Sequence, residues 1–234
     1  MEWNDILTIL KGLNNIVCYE TFVCFVLFLL LPKKSINNRL LLIICSIYVI
    51  NEICMEAFGY YIYKKTYPNL EFWQSFSLAI TGIVTNILWL FILKLNNIQS
   101  KKMPYIIIYY LIISLSICFL NDFSNFFGYV FSLGGLIYLS LYFHDSLQKI
   151  KTEQFEHLFN SKFILLSAPV FMIFGISIIF VFISREILDY KILNTDFQSV
   201  IGFYVNFISY SLFLYYGYRE FKRVQMEKKN QIDI

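Results

Sequence analysis

Between Leu40 and Ile62 the chain reads LLLIICSIYVINEICMEAFGYYI, a run whose strongly polar residues are Asn51, Glu52 and Glu56. No proline or turn cluster interrupts it. About 20 residues at 1.5 Å each cross a hydrocarbon core of about 30 Å. The stretch therefore predicts a membrane-spanning helix, and one that carries two carboxylates a single turn apart.

Six further runs of this kind flank it. With the first, the predicted spans are about 13–31, 40–62, 72–93, 104–120, 123–143, 163–184 and 197–218. They form one transmembrane helical domain over 1–218, followed by a basic tail at 219–234. Pro32-Lys33-Lys34 ends the first run, and only Asn121-Asp122 divides the fourth from the fifth. Pro104 sits where a first helical turn tolerates a missing N–H, and Pro169 falls in the first turns of the sixth run.

Composition agrees with this patterning. Hydrophobic residues make up 58% of the chain, aromatic residues 20% and charged residues 15%. Soluble domains average about 25% charged residues. The expected fold class is all-α, a polytopic helical bundle in a cell membrane. The short connections leave no room for a separate soluble domain.

Orientation follows from the basic residues. Of the 19 Lys and Arg, fourteen fall on one side: Lys33, Lys34, Arg39, Lys94, Lys101, Lys102, Lys149, Lys151, Lys162 and five between Arg219 and Lys229. Lys11, Lys64, Lys65, Arg185 and Lys191 fall on the other. The first side is expected to be cytoplasmic, which places the amino terminus outside and requires an odd number of spans. Residues 144–162 then form the longest inner loop. Leu147, Ile150, Phe155, Leu158 and Phe159 recur there at roughly helical spacing, as in a helical extension or a surface amphipathic helix.

The residues that point to function are carboxylates inside apolar runs, because an ionised group in the membrane core is costly unless paired, protonated or hydrated. Glu20 lies about seven residues into the first span. Glu56 and Glu52 lie six and ten residues from the outer end of the second. All three are candidates for one outward-opening ligand or proton site, with Asn51, Tyr60 and Asn206 extending its polar lining. The i,i+4 spacing sets Glu52 and Glu56 on one face. Like charges at that separation oppose joint ionisation, which calls for a proton on one of them or for a cation or amine between them. The plainer reading is that these glutamates face water at a helix end or join helices by hydrogen bonds.

Other features read as structural. Thr81, Thr85 and Asn86 suit interhelical hydrogen bonds, while Gly82, Gly128, Gly134 and Gly135 suit close packing. Trp3, Trp73 and Trp89 suit anchoring at the membrane interfaces. The five cysteines lie in or beside apolar runs without a C-x-x-C pair, and there are two histidines, so no disulfide framework, metal site or cofactor is expected. His144, Phe155, His157, Arg219, Lys222 and Arg223 are the candidates for docking a partner at the inner face. Neither H-E-x-x-H nor G-x-S-x-G occurs, which weighs against the familiar membrane hydrolases. A nucleic-acid partner is not expected.

Seven spans resemble the topology of rhodopsin-like proteins, but residues 197–218 contain no lysine for a retinal linkage. The chain also lacks the Pro-Gln dipeptide and three-helix repeat of the small seven-helix carriers. Phe143-His144 at the end of the fifth span, Pro169-Val170-Phe171 with Gly175 in the sixth, and Tyr204 to Gly217 in the seventh resemble the uncharacterised seven-helix integral membrane proteins of the Bacteroidetes type. That likeness of composition and topology implies a bacterial inner-membrane protein, found alone or as the membrane region of a signalling protein, and transfers no functional residue. The leading expectation is a receptor-like or accessory membrane protein that binds a small ligand, lipid or partner protein and acts through its inner loop and tail. The alternative is a small secondary transporter or channel using the carboxylates for proton or cation coupling.

Overall fold

The computed structural model describes residues 6, 8, 16–31, 35–63, 70–96, 102–120, 126–152, 156, 160–182, 191–192 and 195–232. They form an all-helical bundle of seven helices: α1 (Ile16–Leu30), α2 (Ile36–Tyr63), α3 (Leu70–Asn96), α4 (Met103–Leu120), α5 (Phe126–Lys151), α6 (Ser161–Phe182) and α7 (Phe197–Ile232). A small antiparallel hairpin precedes α7, with Lys191 opposite Asp196 and Ile192 opposite Thr195. Among the described residues, three stretches are long and apolar enough to cross a membrane: Ile36–Ile62, Phe72–Asn96 and Val200–Glu227. Ile16–Leu30, Met103–Ile117 and Ser161–Gly175 are shorter apolar helices.

The surface of the bundle is apolar. Leu30 is 69% exposed, Tyr105 65%, Leu136 61% and Ile50 60%, and such residues recur on every helix. An exterior of this kind is far beyond the apolar patches of water-soluble monomers. It is the surface expected of a multi-pass membrane protein.

Packing makes a closed ring. α1 packs on α2 and α7, α2 on α3, α3 on α5, α5 on α6, and α6 most extensively on α7. α4 stands outside the ring against α3 and α5. One buried residue fixes that outer helix: Asn86 of α3 donates from Nδ2 to the Tyr110 hydroxyl of α4 at 3.0 Å and to the Phe131 carbonyl of α5 at 3.5 Å. Tyr110 in turn donates to the Val130 carbonyl at 3.3 Å.

Glycine sets the closest approaches. At Gly134 a Cβ would lie 2.6 Å from Asn86 Cγ, so α5 reaches α3 only because that side chain is missing. At Gly175 a Cβ would run into Val205, so α6 and α7 touch in the same manner. Pro169 is buried inside α6. Nearby carbonyls of its helix accept from neighbouring helices: Leu166 from the Tyr138 hydroxyl at 2.8 Å, Ala168 from the Ser209 hydroxyl at 3.1 Å. These two bonds tie the turn that precedes Pro169 to α5 and α7.

Some expectations change with the structure. Trp89, expected as an interfacial anchor, is 4% exposed and stacks on Phe213 with ring centroids 5.4 Å apart. It belongs to the core because α3 is the helix with neighbours on the most sides. Trp73, by contrast, is 53% exposed. α5 continues past Phe143 to Lys151, so the first part of the 144–162 stretch is an extension of that helix. α7 likewise runs past Tyr218 to Ile232, so the basic segment is helical as far as that residue.

Candidate functional site

The site is built by extending three buried stripes by one turn. In α2 the buried positions Leu41, Ile44, Cys45 and Tyr48 lead, at helical spacing, to Glu52 and then Glu56. In α1 the buried residues Phe28 and Cys24 lead back four residues to Glu20. In α7 the buried Tyr210 leads back four residues to Asn206.

Contacts align the three stripes. The Cys24 thiol donates to the Tyr210 carbonyl at 3.7 Å, and the Tyr48 ring meets the Tyr210 ring edge-on at 6.2 Å. Cys24, Tyr48 and Tyr210 therefore occupy one layer. Because α1 and α7 run one way and α2 the other, Glu20, Glu52 and Asn206 each lie one turn farther toward the same end of the bundle. That end, where α1 and α7 begin and α2 finishes, is the carboxylate end.

Within this polar layer, the Cys18 thiol donates to Glu52 Oε2 at 3.7 Å. This contact ties α1 to α2 through a residue that the sequence did not single out. Glu20 Oε2 is buried and, among the described residues, has no hydrogen-bond partner; the same holds for Asn51 Oδ1. Glu56 is half-buried one turn beyond Glu52. Tyr60 lies another turn out, its ring edge-on to Tyr61 at 5.4 Å. Farther along this end, the Gln74 amide of α3 donates to the Met55 sulfur of α2 at 3.7 Å.

Beneath the polar layer the core is aromatic and closely packed. Tyr48, Tyr210, Trp89, Phe213 and Tyr138 are all buried, and Tyr48 donates to the Met172 sulfur at 3.9 Å. Trp89 meets Tyr138 edge-on at 6.3 Å. The space left among Tyr48, Asn86, Trp89, Tyr138 and Pro169 is a cavity of about 10 Å³, about the size of one water. The polar layer thus rests on a floor of buried aromatic side chains.

The candidates for docking lie at the opposite, basic end. His144 is exposed and pairs with Gln148 at 3.0 Å, beside an Asp145–Lys149 ion pair of 2.8 Å. Arg223 pairs with Glu220 at 2.8 Å and with Glu227 at 3.6 Å. Arg219 lies 5.8 Å from the Tyr215 ring centre, and Lys222 is exposed. Phe155 and His157 lie outside the described residues. The structure thus separates two groups: Glu20, Asn51, Glu52, Glu56, Tyr60 and Asn206 toward one end, and His144, Arg219, Lys222 and Arg223 toward the other.

Three residues escaped the sequence reading. Tyr48 and Tyr210 sit one turn below Glu52 and Asn206, so helical spacing carried the signal for both. Nothing local marks Cys18, because its contact depends on how α1 is rotated against α2. Among the described residues no cluster of three or more His, Cys, Asp or Glu side chains could hold a metal ion. No family model matches the chain, and neither curated proteins nor solved structures are significantly similar to it.

Proposed function

We propose that the chain is a receptor-like or accessory component of a cell membrane, crossing it seven times with the carboxylate end outside and the basic end in the cytoplasm. Its outer layer of Glu20, Glu52 and Asn206 receives a small ligand or a segment of a partner protein. Carboxylate and amide oxygens of this kind suit a cationic or hydrogen-bond-donating group. The consequence is read at the basic end, through the α5 extension near His144 and the α7 extension near Arg219, by another membrane or cytoplasmic protein. The resemblance to Bacteroidetes-type seven-helix proteins supports a bacterial inner membrane, with lipid as the remaining partner.

The observation that carries this reading is the aromatic floor. A polar layer closed below by Tyr48, Tyr210 and Trp89 suits recognition at one end, followed by a shift in helix packing. The alternative, a small secondary transporter or channel, draws support from the unpartnered Glu20 oxygen, which a proton or cation would satisfy. The packed floor counts against continuous conduction.

Native mass spectrometry of the tagged protein, extracted gently from its own membranes, tests the reading. A stoichiometric protein or small-molecule companion is expected, depleted in the Glu52→Gln/Glu56→Gln variant. A protein that emerges alone, together with proton or cation flux in proteoliposomes that the same variant abolishes, would replace this reading with the transporter.

A further inference from the structure

At the basic end, α7 leaves the bundle as an amphipathic helix with one organised face. Tyr215, Tyr218, Arg219, Lys222, Arg223 and Met226 follow the i, i+3, i+4, i+7, i+8, i+11 pattern that puts them all on one side. This face and Ser161, the first residue of α6, line an open groove of about 510 Å³. The α6 wall is fixed in place, since Asn160 Oδ1 accepts the Lys162 N–H at 3.1 Å and so caps the helix.

We infer that this groove holds the headgroup of an anionic phospholipid of the inner leaflet. Its lining is amphiphilic along the membrane normal. Tyr215 and Tyr218 are 47% and 60% exposed and lie at the last apolar turns of α7. Arg219 and Lys222 follow immediately, so the groove straddles the level where hydrocarbon gives way to headgroups. Its charged lining comprises three cations and Glu220. Arg219, Lys222 and Arg223 all line the groove, Arg223 within ion pairs to Glu220 and Glu227. A free phosphate would meet the cations but leave the exposed tyrosines and Met226 unused. A phosphodiester carrying acyl chains meets both halves.

The inference rests on the inner-face orientation proposed above, but lipid retention by the solubilised protein does not depend on orientation. The two can therefore fail separately. The full chain in micelles doped with phosphatidylglycerol or phosphatidylcholine is read by native mass spectrometry for bound lipid. Phosphatidylglycerol is expected to be retained preferentially, and Arg219→Gln/Lys222→Gln is expected to weaken that retention about 30-fold, from two cations near an anionic headgroup. The charge-matched Lys228→Gln/Lys229→Gln variant is expected to retain lipid as the parent does.

Equal losses in both double variants would reduce the effect to diffuse attraction and overturn the site. Displacement of the lipid by millimolar inorganic phosphate would overturn the commitment to a lipid. Should Arg219→Gln/Lys222→Gln fail to fold, Ser161→Glu tests the other wall. It places an anion in the groove while favouring the α6 N-terminus. Lost phosphatidylglycerol retention there upholds the inference, and unchanged retention overturns it.

Discussion

Replacing Gly134 by alanine tests the contact that brings α5 against α3. The added Cβ would overlap the Asn86 amide nitrogen, lying 2.6 Å from Asn86 Cγ and 2.9 Å from its Cβ. Asn86 is 5% exposed and carries the bonds to Tyr110 and Phe131, so either the helices part or those bonds are lost. Overpacking costs about 2 kcal/mol, and the disturbed interhelical bonds add about 1 kcal/mol. Alanine's better helix propensity returns about 1 kcal/mol. The net destabilisation is about 2 kcal/mol, or about 4–8 °C in the midpoint for a chain of this size.

Thermal unfolding in detergent, followed by size-exclusion fluorescence, is a suitable assay. Gly59→Ala provides the control, because nothing lies within 4 Å of its added Cβ; the expected change is neutral or slightly stabilising. In the Asn86→Ala/Gly134→Ala double variant the methyl group has room, and a favourable coupling of about 1 kcal/mol is expected. If Gly134→Ala proves as stable as Gly59→Ala, the close approach of α3 and α5 is wrong.

Three further outcomes are expected. Tyr48→Ala removes a buried ring from the floor and should cost about 3–5 kcal/mol, whereas Tyr48→Phe keeps the ring, loses the hydroxyl contacts with Met172 and Trp89 and should cost less than about 1.5 kcal/mol; equal melting temperatures for the two would remove Tyr48 from the core. Cys24 and Cys45 are buried and unpaired, so maleimide should modify them only after denaturation in SDS; rapid labelling in the folded protein, located by peptide mass spectrometry, would contradict the α1–α2–α7 packing. A green fluorescent protein fused after Ile234 should fluoresce and an alkaline phosphatase at the same point should stay inactive, and the reverse pair would invert the proposed topology.

The apolar runs were legible because lipid demands uninterrupted stretches, and those stretches became helices. The extension of α5 past Phe143 was one of two readings that the spacing of Leu147 and Ile150 allowed, whereas the length of α7 was not legible, since charge after Tyr218 marked only the end of the apolar run. Glu220, Arg223 and Glu227 in fact continue the helical spacing as ion pairs, so the span and the helix end at different places. The face carrying Glu52 and Glu56 was legible from their spacing alone. Its relation to Glu20 and Cys18 was not, because periodicity fixes which residues share a face but not how one helix turns against the next. Trp89 shows the same gap: its depth in α3 resembled an interfacial position, and only the surrounding helices put it inside.

The uninterrupted length of α7 has a mechanical consequence. Gly217 is where it presses on α1, a Cβ there lying 2.5 Å from Leu27 Cδ2. From this contact Asn206 is about 16 Å away in one direction and Met226 about 14 Å in the other, at 1.5 Å per residue. α7 is therefore held at two heights, against α6 at Val205 and against α1 at Gly217, and runs unbroken from the carboxylate end to the basic end.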